Sequence, residues 1–135
     1  MNRIIYSIFI DIPDKDLDNT GWYDQQGVKQ DTDKSKVTKD YFLKYYDILK
    51  EKHVEYARSL DVDYVLHEYD DDYKRYVSYF QKNYPQISVY DIINFYKQEL
   101  MKRYAYKYDE VCYLDFDVIP NTNESIFDRV KHNEF

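Results

Sequence analysis

Asp115 and Asp117 stand one residue apart, directly after the apolar run Val111-Cys112-Tyr113-Leu114. A short β-branched and aromatic run of this kind reads as a buried strand. Both carboxylates would then lie at the mouth of that strand. Two carboxylates so placed can reach one hard cation, and oxygen ligands of this type suit Mg²⁺ and Mn²⁺. A divalent ion there would bridge the oxygens of a diphosphate and stabilise it as a leaving group. The pattern Asp-x-Asp is common in itself. Its place after an apolar strand and before Val118-Ile119-Pro120 singles it out from a pair of solvated loop acids. Lys97 is the second residue with chemistry to offer. It occupies the apolar stripe of a helix, where a leucine would be expected. Such a lysine either snorkels to the surface or meets an acid or a phosphate, and the sequence leaves both open.

These residues need elements to position them. Residues 4–10 (Ile-Ile-Tyr-Ser-Ile-Phe-Ile) have the length and composition of a buried first strand, bounded by Asp11 and Pro13. Residues 11–36 are polar and carry Pro13, Gly21 and Gly27, which predicts a long loop. Residues 38–60 form an amphipathic helix, with Phe42, Tyr45, Leu49, His53, Tyr56 and Leu60 as its stripe and Thr38 as its N-cap. Residues 62–68 read as a second strand. Asp70, Asp71 and Asp72 end it and cap a second helix bearing Tyr73, Tyr76, Val77, Phe80 and Tyr84. Ser88 opens a third helix whose stripe is Tyr90, Ile93, Lys97, Leu100 and Tyr104. The strand at residues 111–114 follows, then turn signals at Pro120-Asn121 and a short helix near residues 125–130.

Strand, helix, strand, helix, helix, strand implies crossover connections and a mainly parallel sheet. Ligands of such sheets bind outside the carboxyl ends of the strands. Three acidic clusters are expected there: Asp11, residues 68–72, and Asp115 with Asp117. Acids also end strands and start helices for their own reasons, and that reading is favoured for residues 68–72. His53 and His67 have no second ligand at metal spacing and are expected to be structural. Cys112 is expected to be a small core residue. Trp22 and Tyr23 either stack on a base or sugar or pin their loop.

The chain of 135 residues carries a formal charge of −7. That charge excludes non-specific binding to a nucleic-acid backbone and does not suit an anionic membrane surface. A single cysteine excludes a disulfide framework and a cysteine-rich zinc site. The longest apolar run is far too short to span a bilayer and has no small-residue cleavage pattern behind it. A cytoplasmic location is therefore expected. Tyrosine occurs 18 times and glycine twice, a bias that accompanies AT-rich coding and is expected to serve core and surface alike.

Residues 94–120 resemble the centre of GT-A-fold glycosyltransferases. In glycogenin-like members a helix carrying a lysine precedes Tyr-Asp-x-Val-x-Tyr-Leu-Asp-x-Asp. Here Lys97 is followed by Tyr108-Asp109-Glu110-Val111-Cys112-Tyr113-Leu114-Asp115-Phe116-Asp117. The composition also resembles glycosyltransferase-like proteins of phages and other large viruses, for which the cytoplasm would be that of the host. The resemblance implies an α/β, Rossmann-like GT-A fold with a mainly parallel central sheet flanked by helices. It implies one sugar-nucleotide-binding domain over residues 1–135. Asp115 and Asp117 would hold Mn²⁺ or Mg²⁺ on the diphosphate of a nucleotide-diphosphate sugar, a UDP-sugar. Ile10, Asp11 and Ile12 would lie against base and ribose, Lys97 would reach the donor sugar or its phosphates, and Phe116 would belong to the donor site.

The sequence departs from the family after the motif. Family members run far beyond it, building the acceptor site and often supplying a histidine to the metal, whereas here residues 118–135 follow, with His132 alone. No catalytic base is placed by spacing. The expectation is a metal-dependent glycosyltransferase that transfers or hydrolyses the sugar, with a second copy or a partner chain supplying the acceptor half. The alternative is a module that binds the sugar nucleotide without turnover. A haloacid-dehalogenase-type phosphatase fits less well, because there the motif comes early and continues Gly-Thr.

Overall fold

The computed structural model describes residues 1–13, 32–87 and 89–128. The first apolar run forms strand β1 (Arg3–Ile8). Helix α1 (Thr32–Leu60) follows, then β2 (Asp63–His67). Helices α2 (Asp71–Asn83) and α3 (Val89–Ala105) lead to β3 (Glu110–Tyr113), and a 3₁₀ turn spans Ile126–Asp128. The sheet has the order β2-β1-β3, and both pairings are parallel. The molecule is thus mixed α/β, a small parallel sheet flanked by helices, compatible with a Rossmann-like arrangement.

Alternation along β1 assigns the layers, because successive side chains point to opposite faces. Tyr6 and Ile8 pack with Tyr73 of α2 and with Tyr96 and Leu100 of α3. Ile5 packs with Tyr56 and Ala57 of α1, and Phe9 with Leu49 of α1 and Phe116. Helix α1 therefore covers one face and α2 with α3 the other. A central strand buried on both faces reads as a continuous apolar run rather than an alternating one, as residues 4–10 do.

Several boundaries differ from the sequence expectation. Helix α1 begins at Thr32, so residues 32–36 belong to it and not to a loop, and Thr38 lies inside the helix. No Gly or Pro interrupts residues 32–60, so the helix runs on past the first good capping residue. Strand β1 stops at Ile8, although Phe9 N–H still donates to the His67 carbonyl at 2.9 Å. On α1 it is Tyr46, not Tyr45, that packs inward. On α3, Leu100 is buried and Ile93 and Tyr104 pack partly buried against the core, as expected, but the fully buried positions before Leu100 are Ile92 and Tyr96, which moves Lys97 to the stripe's margin. Trp22, Tyr23, Ser88 and His132 lie outside the described residues.

Asp70 caps α2 as its acid run predicts: its carboxylate accepts from Tyr73 N–H at 2.9 Å. Asp70→Ala should cost about 1 kcal/mol of stability, the usual worth of such a cap. Urea denaturation of the two proteins measures the difference, and an unchanged midpoint would remove the cap from the account.

Candidate functional site

In the order β2-β1-β3 the chain leaves β1 for β2 on one side and β3 lies on the other. The carboxyl ends of β1 and β3 are therefore neighbours at a change of winding, where α/β sheets open a crevice for ligands. The two ends remain in contact: Leu114 N–H donates to the Tyr6 carbonyl at 3.0 Å.

Beyond β3 the chain turns at once. Val118 N–H donates to the Asp115 carbonyl at 3.0 Å, closing a β-turn over residues 115–118. Asp115 and Asp117 are exposed on this turn, while Phe116 between them is 2% exposed. The Phe116 ring stacks on Phe9 with centroids 5.6 Å apart and also meets Phe42, Tyr46 and His53. The middle residue of the motif thus presents only its backbone at the sheet edge, and its side chain nails the turn into the α1-side core.

Lys97 approaches from the other face. Its Nζ lies 3.8 Å from Asp115 Oδ1 and 4.9 Å from the centroid of the Tyr113 ring. Its backbone carbonyl accepts from the Tyr6 hydroxyl at 2.7 Å. Of the two readings left open by sequence, the structure adopts both. The side chain is 31% exposed, and its ammonium, over the Tyr113 ring, meets an acid whose own side chain is 56% exposed. Tyr113 reports on both aspartates. Burial, then a hydrogen bond to Asp115 and the charges of Asp115 and, more weakly, Asp117, push its hydroxyl far above the ordinary tyrosine value. Lys97, Tyr113 and Asp115 therefore form one group on the α3 side of the sheet end, and Asp117 follows two residues on in the same turn.

Asp11 belongs to a different pair. Its Oδ1 is shut off from solvent, without an aligned hydrogen bond, and lies 3.1 Å from Nζ of Lys39 on α1. Lys39 also donates to the Ile12 carbonyl at 2.8 Å. Ile10 packs against the core on the α2–α3 side. Asp11 at the exit of β1 is thus paired on α1, whereas the exit of β3 is held from both faces, by Lys97 of α3 at Asp115 and by the α1-side core around Phe116.

The acids after β2 are taken up by the fold. Glu68 accepts from the Tyr46 hydroxyl at 2.8 Å, and burial with that bond pushes Tyr46 up to about 12. Asp72 accepts from the Tyr96 hydroxyl at 2.6 Å and from Arg103 at 2.8 Å. His67 meets the Tyr104 hydroxyl at 2.7 Å, and burial lowers its pKa. His53 is buried, with Nδ1 2.7 Å from the Leu49 carbonyl. Cys112 sits half-buried on the α1 side, and burial raises its pKa. A surface depression of about 350 Å³ beside Arg58, Asp61 and Asp63 lies at the amino end of β2, away from this group.

Sequence reasoning passed over two residues. Tyr113, the platform under Lys97, looked like strand filler. Ser7 is a lone polar residue in a buried strand, and its hydroxyl donates to the Leu114 carbonyl at 2.6 Å. The signal was available for Ser7, since a hydroxyl in such a run must find an acceptor.

Comparisons with protein-family models, with curated proteins and with solved structures find no match.

The Asp72 pair carries a pH dependence of known sign. The Tyr96 hydrogen bond, followed by Arg103, lowers the Asp72 pKa below its ordinary value. The stabilisation is therefore complete above the unfolded value near ~4 and is lost as pH falls through the depressed folded value. In Asp72→Asn the advantage of wild type over variant should be constant from neutrality to about pH 5 and shrink in more acid solution. Thermal melts across that range check it, and a gap independent of pH would contradict it.

Proposed function

We propose that this chain is the donor-binding portion of a GT-A-type glycosyltransferase, binding a nucleotide-diphosphate sugar, a UDP-sugar, with Mn²⁺ or Mg²⁺. The observation that carries the reading is the turn over residues 115–118. It directly follows β3 of a parallel β2-β1-β3 sheet and exposes two carboxylates beside a cation and an aromatic ring.

The donor set suits such a metal. Among the described residues no three His, Cys, Asp or Glu side chains gather into a cage. A resident structural ion would need one. Mg²⁺ in phosphate chemistry is commonly held by one or two carboxylates and otherwise by substrate phosphates and water. Asp115 and Asp117 offer such a partial set. When bound, the ion would neutralise the diphosphate as it leaves the sugar. The chain's own contribution is to fix the two carboxylates through the buried Phe116. The Lys97 ammonium sits within reach of the same position. The Asp11–Lys39 pair would hold the exit of β1 where base and ribose would lie. Among the described residues no helix is long and apolar enough to cross a membrane.

Asp117→Asn should abolish Mn²⁺-dependent binding of UDP while leaving the melting temperature near wild type. Losing even an outer partner of a metal costs about 10–100-fold in affinity, and losing a ligand costs no less. Calorimetric titration with Mn²⁺ and with EDTA reads it. Equal affinity in both proteins under both conditions would sink the assignment.

Lys97→Met keeps the apolar stem and removes the charge. UDP-sugar binding should weaken by about 1.5 kcal/mol, the lower end for charge-assisted bonds because the ammonium is partly solvated. Unliganded stability should hold. Wild-type affinity in this variant would leave the site resting on the two aspartates.

A further inference from the structure

We infer that Ser7 is a positioning residue for the candidate metal-binding turn: its buried hydroxyl takes the carbonyl of Leu114, the residue after β3, and so releases the chain into the turn that presents Asp115 and Asp117. The inference rests on the donor-site reading above and adds to it a residue remote from ligand.

The ladder between β1 and β3 pairs Arg3 with Glu110 through to Tyr6 with Tyr113. One more backbone bond follows, from Leu114 N–H to the Tyr6 carbonyl. In a parallel ladder the next would run from Ile8 N–H to the Leu114 carbonyl. Among the described residues that bond is not made, and the Leu114 carbonyl accepts instead from Ser7 Oγ at 2.6 Å. A side chain of β1 thus replaces a backbone bond at the point where β3 must leave.

Were the ladder to continue, residues 115–117 would stay extended along β1. With the ladder stopped at Leu114, the chain closes its turn from Asp115 to Val118, and Phe116 drops into the core on the α1 side. Ser7 is 0% exposed, so its hydroxyl must find its partner inside the protein. The bond it makes to the Leu114 carbonyl is part-buried, and a carbonyl that loses its partner where water has reduced access is costly. Ser7 and His53 are the buried polar residues of the described chain. Both face this segment, His53 with Nε2 3.2 Å from the Asp115 carbonyl.

The test compares Ser7→Ala with Ser7→Thr, which keeps the hydroxyl, and with Ile5→Val, which loosens the same strand without touching it. Amide hydrogen exchange is read in the ligand-free chain at Leu114 and Val118, and at Leu49 and Leu100 as core references. In Ser7→Ala the Leu114 and Val118 amides should exchange about fivefold to tenfold faster relative to the references, the factor one ordinary hydrogen bond carries. Ser7→Thr should match wild type, and Ile5→Val should not separate the turn from the core. Affinity for UDP with Mn²⁺ should fall by a similar factor in Ser7→Ala alone, with affinity in EDTA unchanged. Should Ser7→Ala not fold, Ser7→Cys keeps the shape in a slightly larger side chain with only a weak donor and should loosen the same two amides. Uniform acceleration across turn and core, or wild-type exchange at the turn, would overturn the inference. A wild-type chain that takes up no UDP with Mn²⁺ would instead overturn the donor-site reading, and the exchange comparison would still decide the role of Ser7.

Discussion

Strand β1 has protein on every side. Strands β2 and β3 occupy its edges, α1 covers one face, and α2 with α3 cover the other. Water does not reach its middle, so each polar group there must find a partner inside the protein. Tyr6 and Ser7 meet that demand in different directions. The Tyr6 hydroxyl bonds the Lys97 carbonyl and so fixes α3 against the sheet, while the Ser7 hydroxyl bonds the Leu114 carbonyl and fixes the exit of β3. Satisfying two buried hydroxyls on adjacent residues thus determines where the lysine and the aspartates of the site can stand.

The abundance of tyrosine has a structural use of the same kind. A tyrosine can fill a core and still carry a polar tether at its rim. Tyr56 holds the Glu124 carbonyl and Ile126 N–H, anchoring the segment after the turn to α1. Tyr46, Tyr96 and Tyr108 hold Glu68, Asp72 and Asp63. The acids around β2 are thereby engaged in holding elements together. Asp115 keeps a long contact to Lys97, and Asp117 makes no ion pair among the described residues. Asp115 too has a tyrosine beside it, Tyr113, but that residue adjoins the same turn and ties Asp115 to no distant element.

Much of this was legible in the residue order. The three strands announced themselves as β-branched or aromatic runs, Asp70 as a cap, and the aspartate pair as a strand exit, because each depends on near neighbours in sequence. The parallel arrangement followed from the alternation of elements. Other features were not local. The start of α1 depends on a helix continuing past Thr38 where nothing breaks it. The burial of Ile92 and Tyr96 on α3, with Lys97 at the margin, is a matter of packing against β1 and α2. Burial of Phe116 could not be read from its position between two acids, since the pocket receiving it is built by Phe9 and Phe42 from distant parts of the chain.

The pairing of β3 with β1 joins residues 107 positions apart, as in the Arg3–Glu110 contact. Loop-closure entropy rises only slowly with length, by about 0.6 kcal/mol per doubling, so this separation is a modest burden on the finished fold. Its effect is on the order of assembly. Contacts between α1, β1 and β2 span less of the chain and can form first, whereas β3 can dock only on a β1 already in place. Until it does, β1 shows an unpaired edge of apolar residues, the kind of surface through which partly folded chains associate. The turn after β3 depends on that pairing, so the exposed pair of aspartates and the chain's protection from self-association arrive in the same folding step.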